Sequence, residues 1–317
     1  MPLGSGMAGQ FGIVAETSYG LPVTVSRFYP FVSESLAAER GRLDSEAIIA
    51  GARSRRSAQW APGAINVGGD IQMELYQQHT ALLFSHMLGG IASTTSGGIA
   101  THTATLGDLS GKSLTVQVGR PTVGGTVIPY TYSGMKIAEW EMSAQVDEIV
   151  TLGLTMIGQD ETTGIALASA TYGTDAARPF VFTHGSVSIA GSPVDVRGIT
   201  LRGGNSLADD RWRLGAGTRA EPLENELREL DGTITMEFTS TAQWDRYRLG
   251  SEFSVALTLS AAPNASVSIT ANARYDGAVP AVDGRGLIVV ESPIVLIGAT
   301  SDNDAITVAV RNTQTAP

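Results

Sequence analysis

The chain has 317 residues, 43% hydrophobic and only 16% charged, with a formal net charge of −10 at pH 7 and no cysteine. The missing cysteine excludes disulfides, thiolate metal sites and thiol redox chemistry. The acidic balance argues against holding nucleic acid by phosphate neutralisation, which needs Lys and Arg in excess. A charged fraction below the ~25% of an average soluble domain points to surface hidden against partners.

In chain order, the N-terminal MPLGSGMAGQFG lacks a basic region followed by an apolar one. No run approaches the ~20 apolar residues needed to span a bilayer. The expectation is a soluble chain made in a cytoplasm, without membrane association. Residues 40–66 are polar and carry Arg40, Arg42, Arg53, Arg55 and Arg56. They have too little apolar periodicity to pack alone and are expected to form an arm.

Residues 77–88 place Ala81, Phe84 and Leu88 on one stripe, widened by Leu83 and Met87, with Gly89-Gly90 as a stop. That spacing predicts a helix. The Gly- and Ser/Thr-rich runs at 89–98 and 119–125 are expected to be loops. Leu114, Val116 and Val118 alternate as in a strand, and 136–146 alternates over its whole length. There Ala138, Trp140, Met142, Ala144 and Val146 oppose Glu139, Glu141, Ser143 and Gln145. A connector is expected within 158–178 and a second polar arm at 202–230. The period of two returns at Ile234, Met236, Phe238, at Val255, Leu257, Leu259, at Val267, Ile269 and at Ile306, Val308, Val310. A short helix is expected at 242–249, stopped by Gly250. Half-buried antiparallel sheets have this pattern.

An internal repeat runs through these elements. Ile71-Gln-Met73-Glu74-Leu75 returns as Ile234-Thr-Met236-Glu237-Phe238, each followed by a helical stretch ending in Leu-Gly. Upstream, Gly51-Ala-Arg53 resembles Gly217-Thr-Arg219. Downstream, Gly134 and residues 147–151 are matched by Gly286 and residues 304–308. The agreement of order and helix position favours a true repeat over the shared composition of strands.

Chemical motifs are sparse. His79 and His86 lie two helical turns apart, about 10 Å, too far to share one metal ion. With His102 and His184 they are expected to be ordinary surface or boundary residues. Asp302-Asn303-Asp304 lacks calcium-loop spacing and is expected to be a turn. The stretch Gly107 to Ser113 misses a phosphate loop by one residue and leads into a strand. Ser133 and Lys136 have the spacing of some serine acyl-enzymes, but begin a strand, which sends alternate side chains to opposite faces. No acidic pair has a catalytic context. The Arg40–Arg56 cluster is expected either to meet acidic protein surface or to be a solvated loop.

Phe11-Gly-Ile-Val-Ala-Glu16-Thr-Ser-Tyr19-Gly20 resembles the opening of tail tube proteins from long, flexible-tailed phages. So do Phe28-Tyr-Pro30-Phe31-Val-Ser-Glu34-Ser, the unit ending His86-Met-Leu-Gly89, and Tyr130-Thr-Tyr132-Ser-Gly134-Met-Lys136-Ile. The resemblance implies a β-sandwich subunit with a flanking helix, whose strands join those of neighbours in a barrel around a channel. It implies no catalytic, cofactor or metal residues.

Joined to the repeat, it gives an all-β chain of two tandem tail-tube-like β-sandwich or half-barrel modules, each with one flanking helix. These are 1–160 and 175–317, with a connector at 161–174. The implied partners are further copies of the chain, the tape measure protein, the tail terminator and distal tail or baseplate proteins. DNA would pass through without specific binding. The expected ring is a homotrimer with pseudo-sixfold symmetry, a hexamer being the alternative, and rings stack into a virion tail assembled in the host bacterial cytoplasm. Arg53, Arg55, Arg56 and Arg219 are expected at contacts between subunits or rings. Glu139, Glu141, Ser143 and Gln145 are expected to line the channel. The competing classes are another virion part, such as a decoration or baseplate protein, and a secreted carbohydrate-acting β-sandwich. The second is disfavoured by an aromatic content of only 6%.

Overall fold

The computed structural model describes residues 4–172, 178–277, 279–282 and 284–317. The strands before the connector are β1 (Gln10–Ala15), β2 (Arg27–Phe28), β3 (Ser33–Glu34), β4 (Ala37–Asp44), β5 (Trp60–Glu74), β6 (Gly89–Ser96), β7 (Ile99–Leu106), β8 (Leu114–Pro121), β9 (Val127–Gln145), β10 (Thr151–Gly158) and β11 (Asp160–Thr162). Those after it are β12 (Gly185–Ile189), β13 (Ser192–Val194), β14 (Gly198–Gly204), β15 (Glu229–Glu237), β16 (Phe253–Ala262), β17 (Ala265–Tyr275), β18 (Val289–Leu296) and β19 (Thr307–Asn312). The helices are α1 (Thr80–Leu88), α2 (Ala242–Leu249) and α3 (Asp302–Ala305).

The chain is all-β, and its named strand pairs are antiparallel. The main sheet runs from β3 and β4 through β5, β10, the C-terminal half of β9, β14 and β15 to β18. One face buries Ile71, Met73, Leu152, Leu154, Trp140, Met142, Ile199, Leu201 and Ile234. Burying such side chains contributes roughly 1.5–3 kcal/mol each, which is why alternation sets the register. At Gly134 (φ 64), β9 leaves this sheet. A side chain there would press on Tyr19 and Gln159, so the bend needs glycine. The N-terminal half of β9 pairs β8 and β11, and β8 pairs β1. Phe11, Ile13, Val116 and Val118 from this second layer are buried. A further sheet runs β13, β12, β16, β17, β19, β7, β6.

The pairings of the first half recur in the second. β1 pairs β8, β8 pairs β9, β9 pairs β10 and β11, and β10 pairs β5. In the same way β12 pairs β16, β16 pairs β17, β17 pairs β18 and β19, and β18 pairs β15. β5 runs into α1 and β15 into α2, flanked by β3–β4 and β14 respectively. The β6–β7 hairpin follows α1 and has no counterpart after α2.

Several expectations are corrected. The first helix starts at Thr80, because His79 sits in the left-handed region (φ 66) and breaks it from Gln77 and Gln78. The run 89–98 is strand β6 with a turn at Gly97-Gly98, since its Thr and Ser residues pair β7. Residues 119–121 belong to β8. Asp302–Ala305 is a short helix, its first turn held by the Asp304 carboxylate. The 40–66 arm is two strands of a hairpin around an exposed loop, 45–59. The downstream repeat match fails. Residues 147–151 lead into β10, between β5 and β9, whereas 304–308 lead into β19, between β17 and β7. β18 has the neighbours that match those of β10. The expected connector runs into residues outside those described, 173–174, as does the start of the second half, 175–177.

Candidate assembly interface

The two halves meet along two strand pairs, β14 with the C-terminal half of β9, Gly198 opposite Gln145 through Gly204 opposite Glu139, and β19 with β7, Thr307 opposite Thr105 through Asn312 opposite Ala100. Gly203 lies flat against the Trp140 indole, and Arg202 reaches Glu141 at 2.5 Å. Asn205 extends the junction, its side-chain amide donating to Ile137 O at 2.8 Å.

From there, residues 205–228 cross the first half. Ile65 N–H donates to Gly217 O at 2.8 Å, and Gln159 donates to Arg219 O at 3.2 Å. Lys136, 2% exposed, points from β9 into this arm. Its Nζ meets Glu221 at 2.6 Å and donates to Leu109 O at 2.8 Å and Pro222 O at 2.9 Å. Burial lowers the Lys136 pKa, and the Glu221 carboxylate opposes that shift. Arg228 ends the arm by donating to Leu88 O, the last carbonyl of α1, at 2.7 Å.

The predicted contact residues fall in two places. Arg53, Arg55 and Arg56 lie in the exposed 45–59 loop, where Arg55 pairs Asp44 at 2.9 Å. Arg219 is corrected: it is 2% exposed, hydrogen-bonded to Asn66 and stacked 4.7 Å from the Trp212 ring. A guanidinium enclosed by its own chain has no face left for a neighbour. Sequence reasoning missed Lys136 and Glu221, although Lys136, one of two lysines, sits between the apolar Met135 and Ile137.

Glu139, Glu141, Ser143 and Gln145 share the open face of the main sheet. Across the strands, Glu141 lines up with Gly153, Gln72, Arg202 and Asp231, and Glu139 with Thr155, Asp70, Gly204 and Glu229. The face is acidic, with Arg202 among carboxylates from three strands, β5, β9 and β15.

The histidines are not all surface residues. His102 is buried, Nδ1 2.7 Å from Ser93 Oγ and Nε2 2.8 Å from Gln314 O. His86 is buried in α1, Nδ1 3.0 Å from Leu82 O, and burial holds its pKa down to about 4 from the ordinary 6.5. A depressed histidine pKa means the unfolded chain binds the proton first. The contribution is complete above pH 6.5 and is lost as pH falls towards 4, reaching about 3 kcal/mol there. Chemical denaturation from pH 7 to 4.5 should show this decline, and His86→Gln should flatten it. An equally steep curve for the variant would refute the assignment.

Among the described residues, no three His, Asp or Glu side chains converge as metal ligands, and no helix is long and apolar enough to cross a membrane. What the geometry offers is sheet edges, an arm crossing the first half and an acidic face. The family model of the phage tail tube protein matches residues 6–300. The chain belongs to the phage tail tube protein family. This tail tube protein is therefore a structural component of the virion tail and not an enzyme. No curated protein matches it. Among solved structures, the hybrid solid-state NMR and cryo-EM structure of the SPP1 tail tube is similar at 11% identity, with 56% of this chain and 77% of that chain covered and a TM-score of 0.25. An overlap that low carries no argument about this chain.

Proposed function

We propose that this tail tube protein builds the tube wall with two modules per chain, roughly 1–160 and 175–317, three chains closing each ring. The observation that carries the reading is the β9–β14 junction. It joins two halves of like pairing scheme head to tail through one continuous sheet. A head-to-tail contact closes into a ring when its rotation returns to the start. Fusion makes every second contact intramolecular, raising its effective concentration and lowering the entropy cost of assembly. Stacked rings then form the conduit for DNA ejection, assembled in the host cytoplasm with the tape measure, terminator and distal tail proteins as partners. Negative-stain micrographs of the purified protein test this: long tubes support it, isolated particles or caps favour a decoration or baseplate role.

The acidic face carrying Glu139, Glu141, Ser143 and Gln145 lines the channel. DNA carries about one charge per 1.7 Å, so an acidic wall lets it slide where a basic one would hold it. Glu139→Lys with Glu229→Lys, which keeps the Arg202–Glu141 pair of the junction, should leave tube assembly intact and slow DNA ejection at low salt by about tenfold or more, with recovery as salt rises. Unchanged ejection at low salt would remove this face from the channel.

A further inference from the structure

Residues 313–317, beyond β19, lie against the start of α1. Gln78 Nε2 donates to Thr313 Oγ1 at 3.4 Å. Gln314 makes three closer contacts. Its Oε1 accepts the His79 backbone N–H at 2.6 Å, its Nε2 lies 2.7 Å from His79 Nδ1, and its main-chain carbonyl accepts from His102 Nε2 at 2.8 Å. The other ring nitrogen of His102 accepts from Ser93 Oγ at 2.7 Å.

These contacts fix the protonation state of His79. A backbone N–H can only donate, so the oxygen of the Gln314 amide must face it. The amide nitrogen, which also can only donate, is left facing Nδ1, and Nδ1 must be bare to accept. A proton on Nδ1 sets two donors against each other. Turning the amide over gives the ring its acceptor but sets the amide nitrogen against the His79 N–H. A charged ring cannot keep both bonds.

We propose that residues 313–317 form an acid-released strap: Gln314 clasps neutral His79 at the start of α1 and lets go when the ring takes up a proton. Release uncovers His79 and the His102 side of the β6–β7 hairpin. The groups around His79 favour the neutral ring. Arg27, on β2, acts on it as a like charge. Tyr29 packs edge-on at 5.9 Å and donates its hydroxyl to His79 O at 3.0 Å. Gln78, Thr313 and Gln314 are neutral, and the titratable group of α1 itself, His86, lies about two turns along.

Burial, with Arg27 adding to it, holds the His79 pKa down to about 4 from the ordinary 6.5. With a depressed histidine the released form binds the proton first. The advantage of the held strap is complete above pH 6.5 and is lost as pH falls towards 4. If release restores the ordinary value in full, the ratio of released to held strap rises about fourfold at pH 6 and about thirtyfold at pH 5. The latch does not depend on how many chains close a ring.

Hydrogen exchange of the full chain at the residue 79 amide reads the clasp directly, because that N–H is donated to Gln314. After correction for the intrinsic effect of pH, its protection should fall about tenfold or more between pH 7 and pH 5. His79→Asn should hold steady, since asparagine does not titrate, tolerates the left-handed backbone and offers a carbonyl oxygen near the place of Nδ1. Gln314→Glu should reverse the trend, protection rising at pH 5, because a carboxylate accepts from the backbone N–H and from the charged ring together. Constant protection in the parent, or the parent's fall repeated in either variant, would overturn the strap. So would an equal fall at Ile71–Leu75 in β5, which would mean that acid opens the whole fold.

Discussion

Replacing Gly203 by valine should loosen the two halves from each other and cost about 3 kcal/mol or more of unfolding free energy, the upper range for overpacking a rigid interior. Gly203 sits in a strand paired on both sides, by β9 and by β15. Any side chain there would run into the Trp140 indole, which is 5% exposed. The neighbouring Gly204 is the control: a side chain there would meet only Glu229 Cβ, at an ordinary 3.7 Å. Gly204→Val should therefore unfold within about 1 kcal/mol of the parent. Limited proteolysis adds a second reading, since loosened halves expose the segment around 163–172 to cleavage. A Gly203→Val protein with the parent's denaturation midpoint and protease resistance would refute the view that this junction fuses the halves.

The second large effect is expected at Lys136. Lys136→Met keeps the volume but leaves Glu221, 22% exposed, facing an apolar group, and leaves Leu109 O and Pro222 O without their donor. Removing one partner of a fully buried pair costs about 3–5 kcal/mol. The partial exposure of Glu221 reduces that to about 2–4 kcal/mol, because solvent screens the stranded carboxylate. The loss should be local first: hydrogen exchange should quicken across 205–228 before the main sheet responds. Uniform exchange across both would mean that Lys136 stabilises the sheet as a whole and does not pin the arm.

How much of this was legible in the sequence depends on how far apart the partners lie. Strands whose burial alternates, such as β15 and β16, announce themselves locally, and so does α2, bounded by Gly250 in the left-handed conformation (φ 61). The repeat was legible at β5–α1 and β15–α2, where a strand pattern and a helix pattern adjoin. Farther on, short alternating strands resemble one another, and only pairing separates β18 from β19. The Ser/Thr-rich β6 reads as a loop because what makes it a strand is β7, not its own composition. Arg219 and Lys136 were misread or passed over for the same reason. Asn66 is 153 residues from Arg219, so their contact has no local trace. The contact face could be named only as a charge cluster, since sequence does not show which arm is already bound down.

A reconstruction of tubes grown from the unaltered protein tests the central claim most directly. The account predicts three chains per ring, true threefold and pseudo-sixfold symmetry, each chain spanning two positions of the ring across its β9–β14 junction, and the Glu139–Glu141 face towards the channel. Six chains per ring, with second halves outside a wall built from first halves alone, would contradict it.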